Sequence, residues 1–267
     1  MKIGIAGIGA IGLNVALSLD RQKIPGFQLV GFSARSKERA AEFNEMLSLP
    51  IPHYEFAELS QNCDLVIECL PPSLFKKLAI PVLKAGKILV ALSASQLLKY
   101  DDLIDLAEEY GGQIIVPSGA MLGLDALKAV AVGELQSVMI ETRKPVAGLM
   151  NSPYFLKKGI DSASIDKPKL IMSGTVSSIA KEFPANVNVA AAISLAGLGA
   201  DRTQMEIWAD PTLKRNMHTV RVVSDSSDFT MSIQNRPSDE NPSTGRITPQ
   251  SVIALLRNMA ATLKVGT

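Results

Sequence analysis

The chain has 267 residues, a formal net charge of +1 and 47% hydrophobic residues, enough at about 150 residues per domain for two domains with a core each. So neutral a balance gives no long-range field for nucleic acid or an anionic membrane surface, which excludes both as expected partners. The longest apolar run, residues 187–200 (VNVAAAISLAGLGA), is shorter than the ~20 residues that span a bilayer, and with no charged and apolar leader ahead of the first strand pattern the expected location is cytoplasmic.

The first element is the most informative. Residues 2–6 (KIGIA) read as a buried strand that breaks at Gly7, Gly9 and Gly12 into a helix over residues 10–19. The first glycine permits a tight turn, the second lets the backbone approach a pyrophosphate, and the third lets helix pack on strand. The helix start at Ala10 and Ile11 would aim free amides and the positive dipole end at that pyrophosphate. A second strand, residues 27–32 (FQLVGF), is followed by Ser33, Ala34, Arg35, Ser36 and Lys37, where an NAD-selective site would show an acid for the ribose 2′-hydroxyl. An arginine beside small hydroxyl residues suits a 2′-phosphate. The sequence therefore predicts that Ser33, Arg35 and Ser36 accept NADP, with NAD use left open.

Helix over 37–47, strand 64–69, helix 73–85, strand 87–92, helix 99–110 and strand 113–117 follow in alternation. That order predicts a Rossmann-type doubly wound parallel sheet with its ligand crevice at the carboxyl ends of the strands. Small, turn-forming residues collect there: 7–12, 69–72 (CLPP, with Leu70 and Pro71), 91–95 (ALSAS) and 117–120 (PSGA). His53, between Pro52 and Tyr54, falls in an exposed-looking connection and reads as structural. Cys63 and Cys69 straddle a strand, which suits free thiols in a reducing compartment and no metal motif.

After Gly119 the texture changes to longer alternating strands at 137–144, 169–173, 204–209, 218–224 and 229–235, with helices at 124–132, 175–183 and 187–198. This predicts a second, α+β domain on a mostly antiparallel sheet with one covered face. Its other face is expected to expose alternating Val, Ile and Met, hence a homodimer through residues 137–235. A helix over 248–263, opened by Thr248 and Pro249, is expected to return to the first domain. The predicted domains are 1–119, completed by 246–267, and 120–245.

Only two histidines exist. His218 opens a strand after a polar turn, where it is either the proton acceptor of a dehydrogenase or a satisfied structural histidine. Asn186 and Asn188 start a helix, as caps or as amides facing a ligand. Arg143 and Lys144 leave a strand before Pro145, as solvated charges or as cations for a carboxylate. Thr244 shapes a turn or binds substrate, and Lys214 and Arg215 read as surface charges.

Six stretches together carry a resemblance: IAGIGAIG (5–12), PSGAMLGLDAL (117–127), TRKP (142–145), FPANVNVAAAISLAGLGADRTQ (183–204), IWADP (207–211) and NMHTV (216–220). They resemble the L-aspartate dehydrogenase family over nearly the whole chain. The resemblance implies reversible NAD(P)-dependent oxidative deamination of L-aspartate to iminoaspartate, which yields oxaloacetate and ammonia or feeds NAD synthesis. It also implies His218 as the catalytic histidine and Ala120 and Asn188 as cofactor contacts, the nicotinamide lying in a cleft near them. Arg143, Lys144, Asn188 and Thr244 are then the candidates for substrate. The sequence departs from the family at ECLPP (68–72), where a pattern such as ECAGH is expected, and this bears on substrate preference. Rival readings are a two-domain reductase of the homoserine or dihydrodipicolinate type, whose basic cluster is missing, and a non-catalytic NADP-binding sensor.

Overall fold

The computed structural model describes every residue except Gln22, Lys23, Asn151, Ala185, Asn186, residues 239–244 and Thr267. The described chain divides into two compact units, one of Met1–Gly119 with Thr248–Val265 and one chiefly of Ala120–Ile247.

In the first unit β1 (Lys2–Ala6), β2 (Gln28–Ser33), β3 (Leu65–Glu68), β4 (Ile88–Ala91) and β5 (Gln113–Ile115) form a parallel sheet in the order β2-β1-β3-β4-β5. Because side chains alternate along a strand, the sheet feeds two cores. Ile3, Ile5, Leu65, Ile67 and Val90 pack on one face with Val15 and Leu19 of α1 (Ala10–Asp20), Ala40 and Phe43 of α2 (Lys37–Glu45), and Val252 and Leu256 of the C-terminal helix Ile247–Ala260. Ala6, Val66, Leu89 and Ala91 pack on the other with α3 (Phe56–Asn62), α4 (Phe75–Lys84) and α5 (Asp102–Tyr110), through Leu59, Phe75, Leu78 and Leu103.

Two features of this unit were not expected from sequence. Helix α3 is short, and its signal is Glu58, whose carboxylate accepts the Glu55 N–H at 3.0 Å. The connection holding His53 is a parallel bridge on β2, the edge strand, where Phe32 N–H donates to Pro52 O at 3.2 Å and Tyr54 N–H to Phe32 O at 2.8 Å. His53 is accordingly half-buried rather than exposed.

In the second unit β6 (Leu135–Lys144), β7 (Lys169–Thr175), β8 (Gln204–Ala209), β9 (Met217–Ser224) and β10 (Phe229–Gln234) run in the order β10-β9-β6-β8-β7. Only the β6–β8 pair is parallel, so the sheet is mostly antiparallel. Of the helices α6 (Leu124–Val130), α7 (Pro153–Lys158), α8 (Val176–Glu182) and α9 (Asn188–Ala196), α8 packs on β7 and β8, and α6 on α9. Helix α7, another element missed in the sequence, carries its signals plainly: Ser152 accepts the Phe155 N–H, Pro153 opens the helix, and Gly159 ends it in the left-handed region at φ 59.

The register assigns the residues of this sheet to its two faces. Val138, Ile140, Met205, Ile207, Val220, Val222 and Met231 all fall on the covered face. The alternate positions, on the outer face, mix the polar and charged Glu141, Arg143, Glu206, Arg221, Ser232 and Gln234 with the apolar Met139, Leu170, Trp208, Met217 and Val223. No described helix is long and apolar enough to cross a membrane.

Candidate active site

The turn after β1 is shaped by three glycines doing different work. Gly7 has φ +93, and a Cβ there would collide with the Cys69 carbonyl; a Cβ on Gly12 would collide with the Gly7 carbonyl. A Cβ on Gly9 would meet nothing within 4 Å, so this residue faces open space. Gly9 is also the N-cap of α1 and has no side chain to cap it, which leaves the first-turn amides of Ala10 and Ile11 for a ligand. Uncapped amides, a dipole end and room above the glycine suit a dinucleotide pyrophosphate. Gly7 N–H donates to Ser33 O at 2.9 Å, which ties this turn to the end of β2.

At the end of β2, Ser33 is buried, Arg35 is exposed, and the Ser36 hydroxyl accepts Arg39 N–H at 3.3 Å as the N-cap of α2. Glu38, in the first turn of α2, stands beside them, its carboxyl held below the usual range by its own backbone N–H and by the Ser36 hydroxyl. Leu70 is half-buried, with Pro71 exposed, and both follow a residue that the sequence reading passed over. Glu68 is wholly buried. Its Oε1 accepts Leu70 N–H at 2.8 Å and Ser93 Oγ–H at 3.0 Å, while Oε2 accepts Leu92 N–H at 3.1 Å and Ser93 N–H at 2.9 Å. Burial pushes this carboxyl up and the four donors oppose that. The signal was an acid closing an otherwise apolar strand, LVIE.

In the second unit the register of β6 against β9 sets Thr142 directly opposite His218. Thr142 Oγ1 and His218 Nδ1 lie 3.0 Å apart in a buried hydrogen bond, and His218 is 5% exposed. Lys144, two residues along on the same face of β6, is also buried. Burial holds the Lys144 ammonium down to about 8. Burial, and secondarily the charge of Lys144, bring His218 down to about 4. Thr142 was invisible in the sequence because only the register pairs it with the histidine.

Arg143, expected beside Lys144 as a carboxylate ligand, points to the opposite face, as consecutive strand residues must. Its Nε donates to Glu141 Oε1 at 2.7 Å, its Nη1 lies 3.5 Å from Asp210 Oδ2, and its guanidinium stacks over Trp208 at 4.8 Å. The structure thus brings His218 and Lys144 onto one face and sets Arg143 on the other. Asn188 is exposed at the first position of α9, and Ala120 O accepts Asn235 Nδ2–H at 2.9 Å. Thr244 and Asn186 lie outside the described residues. Among the described residues no group of histidine, cysteine or carboxylate side chains is placed to hold a metal ion, and both cysteines are free thiols.

Residues 125–259 match the family model described as aspartate dehydrogenase, C-terminal, and residues 7–117 the one described as homoserine dehydrogenase, NAD binding domain. The chain is 45% identical over its whole length to L-aspartate dehydrogenase 3 of Bordetella bronchiseptica, covering 98% of that protein. The chain belongs to the aspartate dehydrogenase family. A second member, the L-aspartate dehydrogenase of Bradyrhizobium diazoefficiens, is also 45% identical over the whole chain, with 94% of its own length covered. The crystal structure of aspartate dehydrogenase from Thermotoga maritima superposes with a TM-score of 0.74 at 23% identity, covering 100% of this chain and 99% of that one, which shows a shared fold. Family membership makes the chain an NAD(P)-dependent dehydrogenase.

Proposed function

We propose that the chain catalyses reversible NAD(P)-dependent oxidative deamination of L-aspartate to iminoaspartate, which hydrolyses to oxaloacetate and ammonia or enters NAD synthesis. The observation that carries this reading is identity of 45% over the full chain to two L-aspartate dehydrogenases. The turn at Gly7, Gly9 and Gly12 with the amides of Ala10 and Ile11 would hold the cofactor pyrophosphate, and Ser33, Arg35 and Ser36 its ribose end. Leu70, Pro71, Ala120 and Asn188 complete the cofactor set. When bound, the nicotinamide accepts the hydride from Cα of the substrate.

Hydride loss needs an unprotonated amine, because only the nitrogen lone pair can form the C=N bond. His218, held down to about 4, is neutral at physiological pH and able to take a proton from the amine or from the water that hydrolyses the imine. The tautomer that donates Nδ1–H to Thr142 Oγ1 is the one that presents a lone pair at Nε2. Lys144 supplies the cation for a substrate carboxylate on the histidine's face. Asn188 offers an amide, and Thr244 stands as a further substrate contact. Arg143, tied to Glu141 and Asp210, braces the sheet instead.

A homodimer through residues 137–235 belongs to the same reading, supported by the half-buried Trp208 and Arg143 on the outer sheet face, residue types enriched at interfaces; a monomer in sedimentation at micromolar concentration would remove it. The activity itself is tested by a spectrophotometric screen of amino acids with NAD and NADP at alkaline pH. Cofactor reduction with L-aspartate is expected, and turnover of another acid but not aspartate would overturn the substrate.

A further inference from the structure

We propose that His53 is a positioning residue for cofactor choice: it fixes the loop that presents Arg35 to the adenosine ribose. The inference rests on the reading of residues 33–36 as the ribose site.

Three contacts carry it. His53 Nε2–H donates to Ala34 O at 3.3 Å, and Ala34 is the residue between the end of β2 and Arg35. The imidazole lies against the Phe32 ring, centroids 5.4 Å apart and planes inclined by 31°. Phe32 in turn meets Phe43 of α2 edge-on at 4.6 Å. The ring of His53 therefore joins the strand before the loop, the loop itself and the helix after it.

The segment carrying His53 is itself held on both sides. The Asn44 side chain of α2 clasps the Ile51 backbone, donating from Nδ2 to Ile51 O at 3.1 Å and accepting Ile51 N–H at Oδ1 at 3.0 Å. The Tyr54 ring occupies the space that a Cβ on Gly31 would take, 2.6 Å from the ring carbons. A segment so fixed can act as a stop for the loop rather than moving with it. Arg35 is exposed, so its mean position depends on the backbone that leads to it. An arginine recognises a phosphate through a planar fork whose geometry must be set. Loss of the Ala34 anchor leaves the charge in place and degrades its aim, so binding of a 2′-phosphate suffers while binding of a 2′-hydroxyl does not.

The test is calorimetric titration of the full-length enzyme with adenosine 2′,5′-bisphosphate and with ADP, neither of which undergoes the reaction. His53→Phe keeps a ring on Phe32 and removes the donor. It should weaken the bisphosphate about fivefold more than ADP, the size expected for one ordinary hydrogen bond, with kcat at saturating NADP and the melting temperature unchanged. His53→Gln restores an N–H donor and should recover most of that loss. Equal weakening of both ligands, no weakening, or no recovery in His53→Gln overturns the proposal. Arg35→Ala, titrated in parallel, separates the two levels. If it abolishes discrimination between the ligands while His53→Phe leaves it intact, only the role of His53 falls. If Arg35→Ala itself leaves discrimination intact, the ribose site is misplaced and the proposal falls with it.

Discussion

The glycine turn of the first unit and the histidine face of the second are built in opposite ways. At the turn the work is done by backbone, with side chains removed so that amides and carbonyls can come close. At the histidine face it is done by three side chains, Thr142, Lys144 and His218, brought together by strand register across a stretch of more than seventy residues of chain. Space is the critical quantity in the first, and the exclusion of water in the second, since burial is the first cause of the shift at both Lys144 and His218. Close-packed backbone leaves no room for an added atom at Gly7 or Gly12, whereas buried polar side chains tolerate no lost partner.

The largest effect should come from breaking the second region. His218→Ala is expected to lower kcat by about 10² to 10⁴-fold while cofactor affinity, followed by fluorescence titration, stays within error. Near-normal turnover in a folded variant removes the histidine from the chemistry.

Next come two substitutions that sharpen the contrast within the turn. Gly12→Ala puts a methyl group into the Gly7 carbonyl, a clash that costs about 1–3 kcal/mol if the fold survives it, so both melting temperature and cofactor affinity should drop. Gly9→Ala adds the same atom in open space and should leave the melting temperature alone while weakening the cofactor. Parallel losses at the two positions would mean that the space above Gly9 is not reserved for a ligand.

Neighbouring charges on β6 should then separate by face. Lys144→Met is expected to raise KM for L-aspartate by on the order of tenfold, the range of one lost charge-assisted hydrogen bond. Arg143→Met should leave that constant nearly unchanged and lower the melting temperature, because its partners are Glu141, Asp210 and Trp208. The reverse pattern would return the carboxylate site to Arg143.

The smallest effect is on stability against pH. His218 titrates near 6.5 when unfolded and about 4 when folded, so between those values the unfolded chain binds the extra proton. Stability from this group is intact above about 6.5 and is lost as pH falls toward 4. His218→Ala should flatten that part of a melting-temperature profile. In the Lys144→Met protein the histidine's own titration, followed by NMR, should move up yet stay below an ordinary histidine, since burial remains.

The same contrast explains what the sequence made legible. The strands of both sheets and the glycine turn were readable because each is a local pattern, a run of β-branched residues or a spacing of three glycines. Helices α3 and α7 escaped because they are short and carry few apolar positions, although Glu58, Pro153 and Gly159 marked them. Alternation showed that the two faces of the second sheet differ, but only the register says which residues each receives. Thr142 could not be found locally, because it is defined by what lies across a ladder; Glu68 showed locally as an acid closing an apolar strand, but its partners come from loops after two different strands. His53 looked idle because nothing in Pro52–His53–Tyr54 announces that the segment lines the edge of β2.

Glu68 has a mechanical consequence. Leu70 hangs from one oxygen of its carboxylate, Leu92 from the other, and Ser93 from both. The loops that follow β3 and β4 are thus riveted at a single point, and displacement of either must drag its neighbour. The two loops therefore behave as one plate, and a push on Leu70 would be felt at Ser93 through the carboxylate they share.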